Sequence, residues 1–283
     1  MVLDLTAFLI LTACAFAWVG LDLLRKLLAG RARALPITCL MVLAQLPLFL
    51  LWAAVDGRWQ VGTGYWLPGL GCIVVNLGAS LTYMQSVRRS GMSATLPLLS
   101  LTPVFTTLLA IPLLAEWPRP IEAAGITVVV VGAFLLNTPP RASLGGWWQG
   151  VSQEKGAPWM VATALLWSMA PPFDKLAMRH ASAGLHALIM VVGIVAGLWS
   201  VLFVRGELGE LRGHGRRTWG LLAAAAVVAG VALFFQLMAI QMMWVGLVET
   251  FKRGVGAVMA LVLGRWVFSE ELSGRRLAAV LMM

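Results

Sequence analysis

Residues 245–268 read VGLVETFKRGVGAVMALVLGRWVF, an apolar stretch that carries charged side chains near its beginning. At about 1.5 Å per residue, a helix of this length spans about 36 Å, enough to cross the roughly 30 Å hydrocarbon core of a bilayer. Glu249, Lys252 and Arg253 would then lie inside the span, where each ionisable residue costs about 2.5–3.5 kcal/mol on insertion scales. The stretch therefore predicts a membrane helix that carries functional groups.

The composition of the whole chain is that of a membrane protein. Of the 283 residues, 60% are hydrophobic and 12% are charged, and the mean hydropathy is +0.88. Soluble domains carry roughly 25% charged residues, so a soluble enzyme, a disordered chain and a disulfide scaffold are excluded. The net charge of +9 does not indicate a nucleic-acid partner, because the basic residues lie in short gaps between apolar runs. We expect the lipid bilayer to be the main partner.

The other apolar runs predict an all-α membrane protein with about ten transmembrane helices, each needing about 20 residues. The tenth run is short, so we expect the last helix to be truncated. A long connection divides the chain into a first five-helix half (1–137), a linker (138–157) and a second five-helix half (158–283). The predicted spans are 5–24, 36–55, 65–87, 93–115, 120–136, 158–178, 185–204, 219–242, 245–268 and 273–283.

The two halves repeat each other in sequence. A Trp-x7-Lys pattern ends the first helix of each half, at positions 18–26 and 167–175. Later in each half, an apolar helix end is followed by a glutamate, a turn and a new helix start, at Glu116 and Glu270. Because five helices per half is an odd number, the second half must enter the membrane from the opposite side. The pattern predicts an inverted repeat, an architecture common among secondary transporters.

These features, together with the segment Glu249-Thr-Phe-Lys252-Arg253, resemble the drug/metabolite transporter superfamily, and more narrowly its tandem EamA-type domains. The resemblance covers nearly the whole chain, and the short tenth helix departs from it. It implies a substrate path between the halves, lined mainly by spans 1, 3, 4, 6, 8 and 9, with both chain ends inside the cell. The distribution of Lys and Arg among the loops places the N-terminus outside instead, so the orientation stays open.

Span 245–268 supplies the principal candidates for this path. Glu249 is three residues from Lys252 and four from Arg253, so all three share one helix face. In one interpretation they form a self-neutralising cluster between helices. In the other, the surplus positive charge meets an anionic group of the substrate, or Glu249 exchanges a proton.

Further candidates are polar or aromatic side chains deep in other spans, some beside prolines that kink the helix and free carbonyls towards a cavity. Each has the alternative of simple packing or hydrogen bonding between helices. The path candidates are Trp18, Asn76, Ser100, Thr102, Trp167 and Gln236. Charged residues at helix ends either flank the path mouth or reach the headgroup level; these are Asp22, Lys26, Asp174 and Lys175.

The sequence has no motif typical of an enzyme, a phosphate loop or a metal site. The histidines lie near loops without metal-ligand spacing, and the cysteines fall inside apolar runs, where we interpret them as small buried hydrophobes. We therefore expect no catalysis, no cofactor and no metal. The residues concerned are His180, His186, His214, Cys14, Cys39 and Cys72.

The sequence thus predicts a secondary transporter in the plasma membrane, the inner membrane in a bacterium. It would export a small metabolite or amphipathic compound by alternating access, coupled to a proton, to another ion or to the solute gradient alone, since no ATP-binding loop is present. The alternatives are a non-transporting membrane subunit or sensor and, with least support, an intramembrane enzyme. The oligomeric state stays open, a homodimer included.

Overall fold

The computed structural model describes residues 4–28, 31, 33–90, 95–137 and 153–268. These residues form α-helices joined by short connections and three 3₁₀ segments, Thr63–Tyr65, Leu96–Leu101 and Leu208–Leu211. The helices are α1 (Leu5–Leu28), α2 (Ala34–Leu43), α3 (Leu46–Asp56), α4 (Trp66–Arg89), α5 (Thr102–Leu114), α6 (Pro120–Asn137), α7 (Ala157–Ala177), α8 (Ala183–Val204), α9 (Arg216–Met242) and α10 (Val245–Phe268).

The all-α membrane class predicted from the sequence is confirmed. Within the described residues, five stretches are long and apolar enough to cross a membrane: Leu5–Leu28, Ala34–Asp56, Thr63–Arg89, Ala183–Val204 and Arg216–Met242. The full set of about ten spans and the inverted repeat stay predictions. The predicted tenth helix, the joint at Glu270 and most of the linker at 138–157 lie outside the described residues.

The predicted span 36–55 is interrupted, because its backbone leaves the α-helical pattern between α2 and α3. The Gln45 amide donates to Val42 rather than to Met41, which leaves the Met41 carbonyl without its usual partner. The buried side chain of Gln45 donates to that carbonyl at 3.0 Å. Pro47 follows within the first turn of α3 and brings no N–H of its own. A glutamine and a proline in this apolar run therefore mark a break in the helix. The Met41 carbonyl at the break still accepts a hydrogen bond, from the Gln45 side chain.

The predicted span 93–115 also differs from a regular helix, since its described part begins as the 3₁₀ segment 96–101 and becomes α-helical only at Thr102. Pro103 has no N–H to donate to Leu99, four residues back. The Leu99 carbonyl instead accepts from Thr102, both from its backbone amide and from its hydroxyl, the latter at 2.8 Å. The junction therefore places a satisfied, buried hydroxyl at the start of α5.

The described chain divides into two compact units, each built from both sequence halves. The first unit comprises residues 1–77 and 173–242, and the second comprises residues 78–172 and 243–283. In the first unit, α1, α2 and α9 pack around a core of Leu21, Leu28, Ile37, Met41, Leu222, Ala225, Ala226 and Ala229. In the second, the 3₁₀ segment and α7 share a core of Leu98, Leu99, Ala157, Met160 and Ala164.

In each unit, an acidic residue at or just after the end of one helix caps the beginning of another helix that lies far along the chain. Asp56, at the end of α3, accepts the Gly184 amide of α8 at 2.9 Å. Glu116, which follows α5, accepts the Val245 amide of α10 at 2.9 Å. A carboxylate in this position satisfies an amide that lacks an intrahelical partner and opposes the positive end of the helix dipole. The two acids thus fix where α8 and α10 begin.

Close packing at Gly184 generates the first prediction. A Cβ atom there would lie 2.7 Å from Asp56 Oδ2 and 2.9 Å from the backbone nitrogen of Ala53. Because the backbone of α3 cannot move aside as a side chain can, we expect Gly184→Ala to destabilise the protein by about 1–3 kcal/mol. The readout is the unfolding temperature of the purified protein in detergent.

Gly220→Ala in α9 is the matched control, since no heavy atom lies within 4 Å of the Cβ position at Gly220. We expect that variant to match or slightly exceed the wild type, because alanine is the better helix former. Equal unfolding temperatures for the two variants would contradict the packing described for α3 and α8.

Candidate functional site

Helix α10 carries the predicted charged cluster and begins and ends at the predicted residues. Glu249 is buried, and its Oε1 forms an ion pair with Nζ of Lys252 one turn later. The side chains of Lys252 and Glu249 are 12% and 7% exposed. A buried pair of this kind keeps both charges only because each compensates the other. The predicted i,i+3 contact is therefore present in the second unit.

Arg253 does not join this pair, although it lies four residues from Glu249. Its Nε donates to the Thr102 hydroxyl at 2.9 Å. Within the described part of the chain, no carboxylate lies within ion-pair distance of the Arg253 guanidinium. The interpretation in which the three charges neutralise each other completely therefore does not hold for the described residues. One partly buried positive charge is left over.

Thr102 connects three elements of the second unit. Its hydroxyl donates to Leu99 and accepts from Arg253, and its carbonyl accepts the Ser168 hydroxyl of α7 at 3.2 Å. Ser100, also a predicted path residue, is buried beside it in the 3₁₀ segment. The predicted residues Thr102 and Arg253 are thus hydrogen-bonded to each other, and Ser100 is buried two residues before Thr102.

The two predicted tryptophans pack against apolar cores. Trp167 contacts the core of the second unit, and its ring centroid lies 5.7 Å from that of Tyr83. Trp18 contacts the core of the first unit, and the Arg25 guanidinium lies 5.8 Å from its ring centroid, within cation–π range. Both rings are partly buried. Their role in a substrate path stays a prediction.

The predicted mouth residues occupy different environments. Asp22 pairs with Arg25 at 3.5 Å, and both are exposed, as is Lys26. Lys175 is partly buried. Asp174, beside it in sequence, is 1% exposed and lies among polar side chains of the first unit rather than at a solvent-facing helix end.

The two amide side chains predicted for the path, Asn76 and Gln236, lie in different surroundings. Gln236 is buried in α9. The Asn76 side chain donates to the Cys72 carbonyl at 2.9 Å and lies 3.3 Å from Cys72 Sγ. Asn76 is thereby part of the region that contains Asp174.

That region is a buried polar cluster, which we call the Cys72 cluster: Tyr65, Cys72, Asp174 and His186. The Cys72 thiol donates to Asp174 Oδ1 at 2.7 Å, and His186 Nε2 lies 2.9 Å from the same oxygen. His186 Nδ1 lies 3.0 Å from the Tyr65 hydroxyl. The sequence interpretation of Cys72 as a small hydrophobe is incomplete, because its thiol belongs to a hydrogen-bonded network.

The sequence spacing did not reveal this cluster. Cys72 and Asp174 are 102 residues apart, and Tyr65 and His186 are 121 apart. The local signals were a histidine at the beginning of an apolar helix and an aspartate inside the Pro-Pro-Phe-Asp segment at 171–174. Neither has a motif's regular spacing, so only the fold brings them together.

With this geometry in place, known proteins can be compared. Residues 5–138 match the model of the EamA-like transporter family. The match agrees with the predicted family resemblance over residues 5–138, and the resemblance of the remaining residues, with its second tandem domain, stays a prediction. The match corresponds to the predicted first half, 1–137, and its family is one of membrane transporters. No curated protein matches the chain.

A solved structure, titled only as the crystal structure of a protein, has the same fold. Its TM-score against this chain is 0.78 at 17% sequence identity, and the alignment covers 98% of this chain and 93% of the other. At that identity the likeness shows the fold alone.

The buried pair in α10 generates the second prediction. Glu249→Gln removes the counter-charge of Lys252, and breaking a buried ion pair from one side costs about 3–5 kcal/mol. We expect a double-mutant cycle of Glu249→Gln with Lys252→Met to give a coupling energy of about 1–3 kcal/mol, measured by denaturant unfolding in mixed micelles.

The more exposed pair Arg119–Glu122, at 3.0 Å in the same unit and with side chains 56% and 19% exposed, is the matched comparison. Its cycle should yield less than about 1 kcal/mol, because water screens it. A coupling energy in α10 as small as that of the exposed pair would contradict the burial of the Glu249–Lys252 pair.

Proposed function

We propose that this protein is a secondary transporter that exports a small metabolite with an anionic group across the plasma membrane. The family match at residues 5–138 supports membrane transport. The observation that carries the substrate class is the excess positive charge in α10, where Lys252 is paired with Glu249 and Arg253 is hydrogen-bonded to a neutral hydroxyl.

The excess charge favours an anion for an electrostatic reason. Among the described residues, the partly buried Arg253 guanidinium donates from Nε to one neutral hydroxyl, which leaves several N–H donors for a ligand. A carboxylate or phosphate can accept two of them in parallel, and charge-assisted bonds of this kind are roughly twice as strong as neutral ones. The same guanidinium repels cationic compounds. An amphipathic anion would also suit the apolar surroundings.

We propose alternating access between the two sequence-related halves as the mechanism. Two similar halves of opposite orientation can exchange conformations and expose one site to each side of the membrane in turn. The chain's sequence contains no phosphate-binding loop, so the proposed energy source is a proton, an ion or the solute gradient. Glu249 is the candidate for proton coupling, since it is a buried carboxylate on the same helix face as Lys252.

The third prediction tests the anionic substrate. Purified protein is screened by thermal shift against organic anions, amino acids, nucleosides and cationic dyes, since a ligand that binds the folded state raises the unfolding temperature. We expect stabilisation by organic anions. The stabilising anion is then loaded into proteoliposomes and its flux is measured for the wild type and for Lys252→Met, which should lose most of the transport.

Lys155→Met is the control, because Lys155 is exposed in the same unit. It should transport as the wild type does. Unchanged flux in Lys252→Met would remove that residue from the proposed site. Stabilisation by cationic dyes alone would overturn the anionic class, and the absence of any flux in folded wild type would favour the non-transporting subunit or sensor.

The fourth prediction concerns the hydroxyl that holds Arg253. Thr102→Val keeps the shape but removes the acceptor, whereas Thr102→Ser keeps the hydroxyl. We expect the valine variant to bind the anion at least about tenfold more weakly, equivalent to about 1.4 kcal/mol, and the serine variant to resemble the wild type. Binding is measured by titration calorimetry. Equal affinities in both variants would show that Thr102 does not position Arg253.

A further inference from the structure

The Cys72 cluster contains the donor types of a transition-metal site. Cys72 Sγ, Asp174 Oδ1 and His186 Nε2 come from three helices and lie within 4.8 Å of one another. All three residues are buried, at 0%, 1% and 0% exposure. A fourth donor is close, since the Met190 sulfur lies 3.4 Å from Cys72 Sγ. Four donors of this kind are the number that a tetrahedral ion requires.

The spacing of the donors is close to what an ion would impose. In a tetrahedral zinc site, bonds of about 2.0–2.3 Å place neighbouring ligand atoms about 3.3–3.8 Å apart. The observed separations are 2.7 Å from Cys72 to Asp174, 2.9 Å from Asp174 to His186 and 3.4 Å from Cys72 to Met190. Each of these three separations needs to increase by about 1 Å or less, and the separation of Cys72 Sγ from His186 Nε2, which is at most 4.8 Å, needs to reach the same range. Side-chain rotation can supply changes of this size.

The charges of the donors favour a divalent ion. A thiolate at Cys72 and a carboxylate at Asp174 together carry two negative charges, and an isolated charge in an apolar interior is very costly. A divalent cation between them makes the group neutral. When no ion is bound, the proton that remains on Cys72 serves the same purpose, because the thiol donates to Asp174. Binding therefore replaces that proton, which leaves to solvent.

The surroundings hold the donors in place. Tyr65 contacts His186 Nδ1 at 3.0 Å, so the other nitrogen, Nε2, is directed towards Asp174 and Cys72. A hydrogen bond at the second nitrogen is the usual way a protein orients a metal-binding histidine. The Asn76 amide, 3.3 Å from Cys72 Sγ, can donate to a thiolate. When Nε2 binds a metal ion, the Tyr65 hydroxyl can accept a hydrogen bond from Nδ1–H, and the Asn76 amide can donate to the Cys72 thiolate.

The cluster lies near the ends of its helices rather than at their centres. Tyr65 immediately precedes α4, Asp174 is close to the end of α7, and His186 is in the first turn of α8. The adjacent loops are joined by a hydrogen bond from the Gly62 amide to the His180 carbonyl at 2.8 Å, and they border an open cleft lined by residues of 57–62 and 178–182.

We infer that Cys72, Asp174 and His186, with Met190 as the fourth donor, bind one divalent ion of the zinc class. Sulfur and imidazole donors select such ions over Mg²⁺ and Ca²⁺, which prefer sites made of oxygen atoms. The bound ion joins α4, α7 and α8 of the first unit. In the metal-bound state, His186 is protonated at Nδ1, and this N–H forms a hydrogen bond to the Tyr65 hydroxyl oxygen. This site is separate from the charged residues of α10 and does not depend on the proposed transport function.

The test uses Co²⁺ as a spectroscopic probe of the purified full-length protein after treatment with a chelator. A cobalt–thiolate bond gives a charge-transfer band in the near ultraviolet, so the band reports on cysteine ligation directly. We expect saturation at one Co²⁺ per chain, and loss of the band when Zn²⁺ is added. The same titration with Mg²⁺ should neither displace Co²⁺ nor raise the unfolding temperature, whereas Zn²⁺ should raise it.

The chain offers a matched control for the cysteine. Its three cysteines are all buried and none forms a disulfide, so Cys72→Ser and Cys39→Ser are equivalent chemical changes at different places. We expect the charge-transfer band to disappear in Cys72→Ser and to persist in Cys39→Ser. Tyr65→Phe keeps all four donors but removes the partner of His186, and should weaken Co²⁺ binding about 10- to 100-fold.

Two outcomes would overturn the inference. If wild-type protein that is folded by circular dichroism and gel filtration gives no cobalt–thiolate band, the cluster is a hydrogen-bond network only. If the band persists in Cys72→Ser, the ion is bound elsewhere. The wild-type result decides the question even where a variant fails to fold, and none of these measurements involves substrate or flux.

Discussion

In a bilayer, any backbone group that leaves the helical hydrogen-bond pattern must find a partner inside the protein, because lipid provides none. This constraint explains the irregular positions of the described chain. Gln45 supplies a donor for the Met41 carbonyl where α2 gives way to α3. Thr102 supplies one for the Leu99 carbonyl where Pro103 cannot. The polar residues of these apolar runs therefore occur where the backbone requires them.

Charged side chains, like backbone carbonyls, also need partners inside the protein where lipid provides none. Glu116 is directed to the first amide of α10, and the Glu249–Lys252 pair begins four residues later in that helix. Thr102 has a double role, since its hydroxyl satisfies a carbonyl and also holds Arg253. An irregularity in one helix thus determines the position of a charge on another. A polar group that satisfies the backbone thus also holds a charged side chain of α10.

The sequence predicted what depends on neighbouring residues and missed what depends on the fold. Apolar runs and breakers gave α10 at its observed bounds, and helical spacing predicted the Glu249–Lys252 contact. The break at Gln45 had a local signal in Gln45 and Pro47, but a continuous apolar run outweighed it. The partner of Arg253, which is 151 residues away, and the Cys72 cluster had no such signal, because contacts between distant segments leave no fixed spacing.

The break between α2 and α3 has a mechanical consequence. In a regular helix, bending stretches hydrogen bonds on the convex side and exposes carbonyls to lipid. At Gln45 the replacement donor belongs to a side chain with rotatable bonds, so it can follow the Met41 carbonyl when the angle between the two segments changes. The stretch Ala34–Asp56 therefore consists of two short helices joined at a hinge. The hydrogen bond from the Gln45 side chain can be kept when the angle between the two helices changes.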